Sequence, residues 1–343
     1  MTIDRPLHSP FHSRTVSSSA TSRTASAYMF EDLRDFATEV KNGKHTVYEK
    51  LPKLVAPHLE GANEQKRALC YSLASSPEHP VHLLLIGEPA TVKTELIEEA
   101  KRIVPSAFYA GPRSTVSGLT ADDDGTLGLL ARADRGLALL DELDKLPAHA
   151  LGCLYEAMES GRITINSGKL SRELDSRFIC LATANPKGDI FAKTVGRARR
   201  QLLGSVPPAL LSRFHLVFVL RQPLGKELEK TVGRILIRNG TENPSLPFLR
   251  SYFRAIKDLC PSIRCELDPQ SAEVKTARKF LAKKIAASRT GRLGAPLSVR
   301  AAEALRRLCI SSARMRHSAE VEDSDVRNAI SILKASLNTW PSN

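Results

Sequence analysis

The sequence predicts an α/β fold, a parallel sheet flanked by helices, followed by an all-helical subdomain. Three observations carry that prediction. An apolar run, Val81 to Ile86, is too short for a typical helix and stops at Gly87, as a buried strand entering a tight loop does. A second run, Leu137 to Leu140, ends on Asp141 and Glu142, which puts two carboxylates at the edge where open α/β sheets bind ligands. From Lys226 to Asn338 only helical patterns follow, at about 226 to 238, 246 to 258, 268 to 288, 298 to 316 and 323 to 337. In the last of these, Val326, Ala329, Ile330, Leu333 and Leu337 form one apolar stripe.

The first run continues as Gly87-Glu88-Pro89-Ala90-Thr91-Val92-Lys93-Thr94, and a phosphate cradle fits there. Backbone N–H groups of residues 88 to 93 can wrap an anion, the Lys93 ammonium can reach the outer phosphates, and the Thr94 hydroxyl can bind Mg²⁺. A helix from about Thr94 to Ile103 adds its positive end. Val92 stands where the general phosphate-loop pattern has its second glycine. The plainer alternative is a strand, a turn and a helix with a surface lysine. At the second run, alternation along an extended segment would let Asp141 hold hydrated Mg²⁺ while Glu142 faces an attacking water. The alternative is that both acids cap a helix starting near Ala148.

The 343 residues are 42% hydrophobic and 25% charged, ordinary for a soluble chain of one large or two modest domains. No apolar run approaches membrane-spanning length, so no membrane partner is expected. Fifty Lys and Arg against 37 Asp and Glu leave +13, which fits a polyanionic partner. Six scattered cysteines, mostly in apolar segments, fit the reduced thiols of an intracellular protein, and Cys260 and Cys265 lack companions for zinc.

Residues 1 to 27 are rich in Ser, Thr and Arg without apolar periodicity, and are expected to form a disordered tail; the Arg- and Ser-rich, acid-poor composition of an organelle transit peptide is the alternative. A helical pattern then covers 28 to 76, broken at Pro57-His58-Leu59-Glu60-Gly61, with Asn63 as the cap of the second piece. The nucleotide module would occupy 77 to 222 and the helical subdomain 226 to 338, joined at Pro223-Leu224-Gly225. Ala107 to Ala110 reads as a short strand, and Gly111 to Gly125, with Asp122, Asp123 and Asp124, as an irregular solvated loop. Ala148 to Ser160 is a helix stopped by Gly161, and Arg162 to Leu170 a hairpin turning at Asn166-Ser167-Gly168 with basic residues near its tip. Phe178 to Ala182 is another strand, leading to Asn185, whose amide can orient the water or sense the γ-phosphate; a turn-forming Asn-Pro is the alternative. A basic loop with Arg197, Arg199 and Arg200, a short helix from Pro207-Pro208, and a strand from Leu216 to Leu220 complete the module.

With these residues together, the chain resembles the AAA+ ATPase domain of the MCM replicative helicases from about Val47 to Leu337. Gly87 to Thr94 is similar to the family's G-D-P-G-x-x-K-S, which also lacks the second glycine. Leu140-Asp141-Glu142-Leu143-Asp144-Lys145 is similar to I-D-E-[IF]-D-K, and Ala182-Thr183-Ala184-Asn185-Pro186 to A-A-N-P. Pro207 to Phe214 is close to P-P-x-L-L-S-R-F, and Ser298-Val299-Arg300 to T-V-R. The resemblance implies an AAA+ P-loop fold that binds ATP and Mg²⁺ and assembles into a ring, with itself or with other MCM subunits. Lys93, Thr94, Asp141, Glu142 and Asn185 would act within one subunit, while Arg213, as the finger, and Arg300, as the second sensor, would act on ATP held by the next. It also implies DNA, single-stranded in such a ring, as the polyanion. Lys169, Arg172, Arg197, Arg199 and Arg200 are the candidate contacts. The compartment would be the cytoplasm or nucleoid, or a nucleus.

Several features depart from the family. The residues before Val47 are too few and too polar for its N-terminal OB-fold region, and its helix-2 insertion is reduced here to Gly118-Leu119-Thr120-Ala121 and the acids that follow. Its hairpin lysine falls on Ser167, Ala90 replaces a glycine, and His215 stands where aspartate is usual. Two other classes therefore stay open: a weak or inactive paralogue serving as a nucleotide-binding regulator, and a protein-remodelling ATPase driven by a client protein.

Overall fold

The computed structural model describes residues 46–59, 61–89, 91–112, 114–121, 126–167, 170–187, 202, 204, 206–221, 225, 229, 243–259 and 263–341. The expected tail, the helical pattern before residue 46, the acids at 122–124 and the helix at 226–238 lie outside them.

Five parallel strands form the central sheet: β1 (Leu83–Gly87), β2 (Phe108–Ala110), β3 (Leu137–Leu140), β6 (Ile179–Ala184) and β7 (Leu216–Leu220), in the order β2-β3-β6-β1-β7. All residues of β1, β3, β6 and β7 are buried, as a parallel sheet covered on both faces requires. β6 lies between β3 and β1, with Leu140 and Leu84 both registered on Ala182. The carboxyl ends of β1, β3 and β6 therefore open onto one rim, although the segments are far apart in sequence. Strand β6 runs two residues past the expected Ala182 and delivers Asn185 to that rim.

At the opposite, amino edge, two histidines, His82 buried and His215 half-buried, extend the ladder beyond the strands. His82 N–H donates to His215 Nδ1 at 2.9 Å, and His215 N–H donates to the His82 carbonyl at 3.0 Å. His82 Nδ1 in turn accepts from Cys180 N–H at 3.0 Å. Both rings are thus neutral with the proton on Nε2. Burial holds the His82 pKa down to about 3, and burial with the neighbouring His82 holds His215 well below the ordinary range. His215, where the family has an aspartate, is here a backbone acceptor.

Helices α1 (Val47–Leu54) and α2 (Asn63–Ala74) precede the sheet. Glu49 Oε2 accepts from Thr46 N–H at 3.2 Å to start α1. Asn63 does not cap α2: it is the first helical residue, after Ala62. Helix α3 (Lys93–Ile103) follows the phosphate loop. The stretch expected to be irregular contains α4 (Val116–Leu119), whose cap Thr115 accepts from Gly118 N–H at 3.1 Å, and a bridge between Ala121 and Leu127. Helices α5 (Leu129–Arg132) and α6 (Ala148–Ser160) flank β3, and Gly161 ends α6 in the left-handed conformation, φ +70°. Strands β4 (Arg162–Ser167) and β5 (Leu170–Asp175) pair with Ser167 opposite Leu170, so pairing runs through Asn166 and Ser167 where the turn was expected. Helix α7 (Pro208–Leu211) precedes β7.

Helices α8 (Leu246–Leu259), α9 (Ala272–Arg289), α10 (Arg300–Met315) and α11 (Asp323–Asn338) make up the C-terminal part. The stripe on α11 buries Ile332 and leaves Ile330 half-exposed, one position off the expected set. β7 is an edge strand, and the end of α11 substitutes for a neighbour. Ser336 Oγ accepts from Val217 N–H (3.1 Å) and donates to its carbonyl (2.8 Å), Trp340 Nε1 donates to the same carbonyl (3.0 Å), and Thr339 Oγ1 accepts from Val219 N–H (2.9 Å). Asp325, fully buried, ties α11 to α1 and α10 by accepting from Tyr48 OH (2.9 Å), Ser312 Oγ (2.7 Å) and the Arg316 guanidinium (2.6 Å).

Candidate nucleotide site

Gly87 closes β1 where no side chain fits: a Cβ there would lie 2.7 Å from Leu220 Cβ and 2.9 Å from the Leu220 carbonyl oxygen of β7. Packing against the edge strand, and not a positive φ, demands glycine. Glu88 is half-buried, Pro89 exposed and Val92, which caps α3, half-buried, while Ala90 lies outside the described residues.

Lys93 opens α3 and is only 5% exposed, so the surface-lysine alternative fails. Its Nζ donates to the Gly87 and Glu88 carbonyls, both at 2.6 Å, and to Thr91 Oγ1 at 3.2 Å. Burial lowers its pKa, against the opposing pull of Asp141, Asp144, Glu142 and Glu88. The ammonium is thus held within its own loop, facing the carboxylates at the end of β3. Thr94 is exposed at the start of the helix.

The carboxylates differ from the expected alternation. Asp141 N–H still donates to the Ala110 carbonyl at 2.9 Å, but Glu142 adopts a left-handed conformation, φ 56° and ψ 56°, unusual for a non-glycine residue. A conformation of that kind costs roughly 1–3 kcal/mol and survives only when its surroundings impose it. Here Thr183 on β6 imposes it: its Oγ1 accepts from Glu142 N–H at 2.9 Å and donates to Asp141 Oδ1. One buried hydroxyl thereby fixes both acids. Asn185 Nδ2 donates to Glu142 Oε1 at 3.2 Å, and its backbone N–H donates to Asp144 Oδ1 at 2.8 Å. Tyr109 OH donates to Asp141 Oδ2 at 3.4 Å. The capping alternative also fails, because a 3₁₀ turn (Leu143–Lys145) intervenes and Pro147 precedes α6.

Thr183, Asp144 and Tyr109 were not singled out from the sequence. The one signal for Thr183 was its place two residues before Asn185 at a strand end, and its role depends on β6 neighbouring β3.

The donor set fits a Mg²⁺-bound triphosphate. Mg²⁺ takes hard oxygen ligands, keeps several waters, and is held by one or two carboxylates together with substrate phosphates. Asp141 and Thr94 would supply protein ligands, and Lys93 with the loop N–H groups the phosphate contacts.

Arg213 and Arg300 are not at this rim. Arg213 lies just before β7, at the amino edge, and with Arg300, His82, His215 and Glu159 lines a cavity of about 240 Å³. Arg213 Nη2 donates to Tyr155 OH at 3.0 Å, its guanidinium stacks over the Tyr155 ring at 4.9 Å, and it pairs with Glu159. Burial and the proximity of Arg300 lower the Arg213 pKa. Arg300 Nη1 donates to Ser212 Oγ at 3.0 Å and lies 3.9 Å from the same Glu159. The five residues of β1, about 17 Å of extended chain, separate the two edges. Of the candidate DNA contacts, Arg172 is exposed on β5, and Lys169, Arg197, Arg199 and Arg200 lie outside the described residues.

Comparison with known proteins points to one family. The profile of the MCM P-loop domain matches residues 35–239, and that of the MCM AAA-lid domain matches residues 248–337. The chain is 28% identical over 319 residues to DNA replication licensing factor MCM7 of Arabidopsis thaliana, covering 84% of this chain and 43% of that protein. It is 28% identical over 317 residues to minichromosome maintenance protein MCM of Saccharolobus solfataricus, covering 85% and 45%. DNA replication licensing factor MCM4 of Arabidopsis thaliana is 28% identical over 344 residues, covering 90% and 39%. The chain thus spans less than half the length of these relatives. The two matches together cover well over half of the chain, and the chain belongs to the MCM family.

Proposed function

We propose that this chain hydrolyses Mg²⁺-ATP at sites shared between neighbouring subunits of a ring, of itself or with other MCM proteins, and couples turnover to DNA in the nucleoid or nucleus. The module at 77 to 222 would hold the nucleotide and the helices from 226 to 338 would cover it. Lys93 and the loop from Gly87 to Thr94 bind the phosphates, Asp141 and Thr94 hold the metal, Asn185 orients Glu142, and Glu142 takes the proton of the attacking water. Bound Mg²⁺ would neutralise charge on the phosphate oxygens. One observation carries the shared-site reading. Lys93, Asp141, Glu142 and Asn185 meet at one edge of the sheet, while Arg213 and Arg300 sit together at the other, out of reach of the same nucleotide. A finger supplied in trans contributes about 10³–10⁵ in rate.

The test mixes two variants, Glu142→Gln, which lacks the base, and Arg213→Ala, which lacks the finger. Each alone is expected to be inactive. Mixed subunits should recover ATP turnover, since some interfaces then pair an intact base with an intact finger. Absence of recovery at any concentration, with both variants still binding ATP, refutes the shared site. Turnover should rise with protein concentration and with single-stranded DNA; a client protein that stimulates where DNA does not would select the remodelling class.

A further inference from the structure

Helix α9 and the turn after it carry Lys275, Arg278, Lys279, Lys283, Lys284, Arg289 and Arg292 against the single acid Glu273, a net of +6 within a chain of +13. Glu273 is already paired with Arg327. Ala277, Leu281 and Ser288 form the buried side of α9, which packs on α11. At about 100° per residue, Lys275, Arg278, Lys279, Lys283 and Arg289 fall on one arc of roughly 140°, opposite that buried stripe, and all five are exposed.

Six arginines elsewhere contrast with these. Arg67, Arg135, Arg162, Arg213, Arg307 and Arg316 each have an acidic partner, whereas none of the five on the α9 arc has one among the described residues. Self-repulsion along a helix is unfavourable.

We infer that the exposed face of α9 binds the phosphate backbone of duplex DNA, as a second nucleic-acid surface outside the nucleotide site. Lys275, Lys279 and Lys283 form a row with a rise of about 6 Å per step, and the 18-residue helix spans about 27 Å, a length over which a duplex presents a continuous line of phosphates. Ala282 and Ala286 lie exposed within the same arc and let the backbone approach closely. Binding to single strands uses aromatic platforms for base stacking, and the only aromatic on α9, Phe280, is half-buried. A membrane would need large apolar side chains on the approaching face, and this arc has none. The inference does not depend on hydrolysis.

The test measures fluorescence anisotropy of a labelled mixed-sequence duplex with the full chain, from about 50 to about 200 mM salt. Replacing Lys275, Lys279 and Lys283 together by Gln should weaken duplex binding about tenfold or more and reduce the slope of log affinity against log salt by about 3. The triple replacement by Arg should restore both. ATP turnover should match the unaltered chain in each variant, and Arg213→Ala should lose turnover while keeping duplex binding, so the two readings fail separately. Unchanged duplex affinity and slope in the Gln variant would overturn the inference. So would a Gln-sensitive preference for single strands or for phosphatidylserine vesicles over the duplex.

Discussion

The two edges of one sheet use polar groups in opposite ways. At the amino edge, His82, buried, and His215, half-buried, are neutral, and their Nδ1 atoms accept from backbone N–H groups, so they complete the ladder. At the carboxyl edge, Thr183 holds Asp141 and Glu142, Asn185 donates to Glu142, and Lys93 is held by its own loop facing the acids, with Glu142 in a strained backbone conformation. The first edge supplies stability; the second holds charge in readiness for a partner. Backbone strain concentrates where the chain's own nucleotide is expected, while the arginines proposed to act on a neighbour's nucleotide lie beside the histidines at the amino edge.

Lys93→Ala gives the largest effect on this comparison: ATP binding should be lost, and unchanged affinity by calorimetry would refute the cradle. Glu142→Gln should retain ATP binding while turnover falls about 10²–10⁴-fold, the usual contribution of a general base. Thr183→Val should lower turnover about 10–100-fold through Asp141 and Glu142, with ATP affinity falling much less than in Lys93→Ala. Equal losses in Thr183→Val and in Lys93→Ala would assign the threonine to the fold and not to positioning the acids.

At neutral pH the smallest effect on turnover belongs to the amino edge, whose histidines act on stability. His82 titrates near 3 when folded and near 6.5 when unfolded, so its contribution is complete above about pH 6.5. As pH falls from there toward 3, the unfolded chain takes up the proton first, and stability should drop by about 1.4 kcal/mol per pH unit from this residue. His215, also depressed, acts in the same direction. Urea unfolding at successive pH values should show that slope, and His82→Asn, which keeps an acceptor without titrating, should flatten it while leaving turnover at neutral pH intact.

Much of the fold was legible along the chain. Strand β3 occupies Leu137–Leu140 and α6 occupies Ala148–Ser160, as expected, because short apolar runs and a terminal glycine are local signals. The start of α2 was misplaced, since Asn63 is as good inside a first turn as before it. Helix α4 was missed because four residues carry no periodicity. The hairpin was read correctly and its pairing was not: Asn-Ser-Gly signals a turn, yet Ser167 pairs with Leu170. At the site, Lys93 and Asp141 were identifiable, but extended alternation was the wrong account of Glu142, whose geometry is set by a hydroxyl 41 positions away.

By itself the sequence determined the inventory: an ammonium after a glycine loop, two acids after a buried strand, an amide after another, and a surplus of positive charge. These depend on residue type and short-range pattern. Tertiary structure alone decided which of them meet, because the strand order β3-β6-β1 is made by pairings between distant segments that no local propensity encodes. That order brings Thr183 between Asp141 and the phosphate loop, and it leaves Arg213 and Arg300 at the far edge, facing away from the nucleotide their own chain would hold.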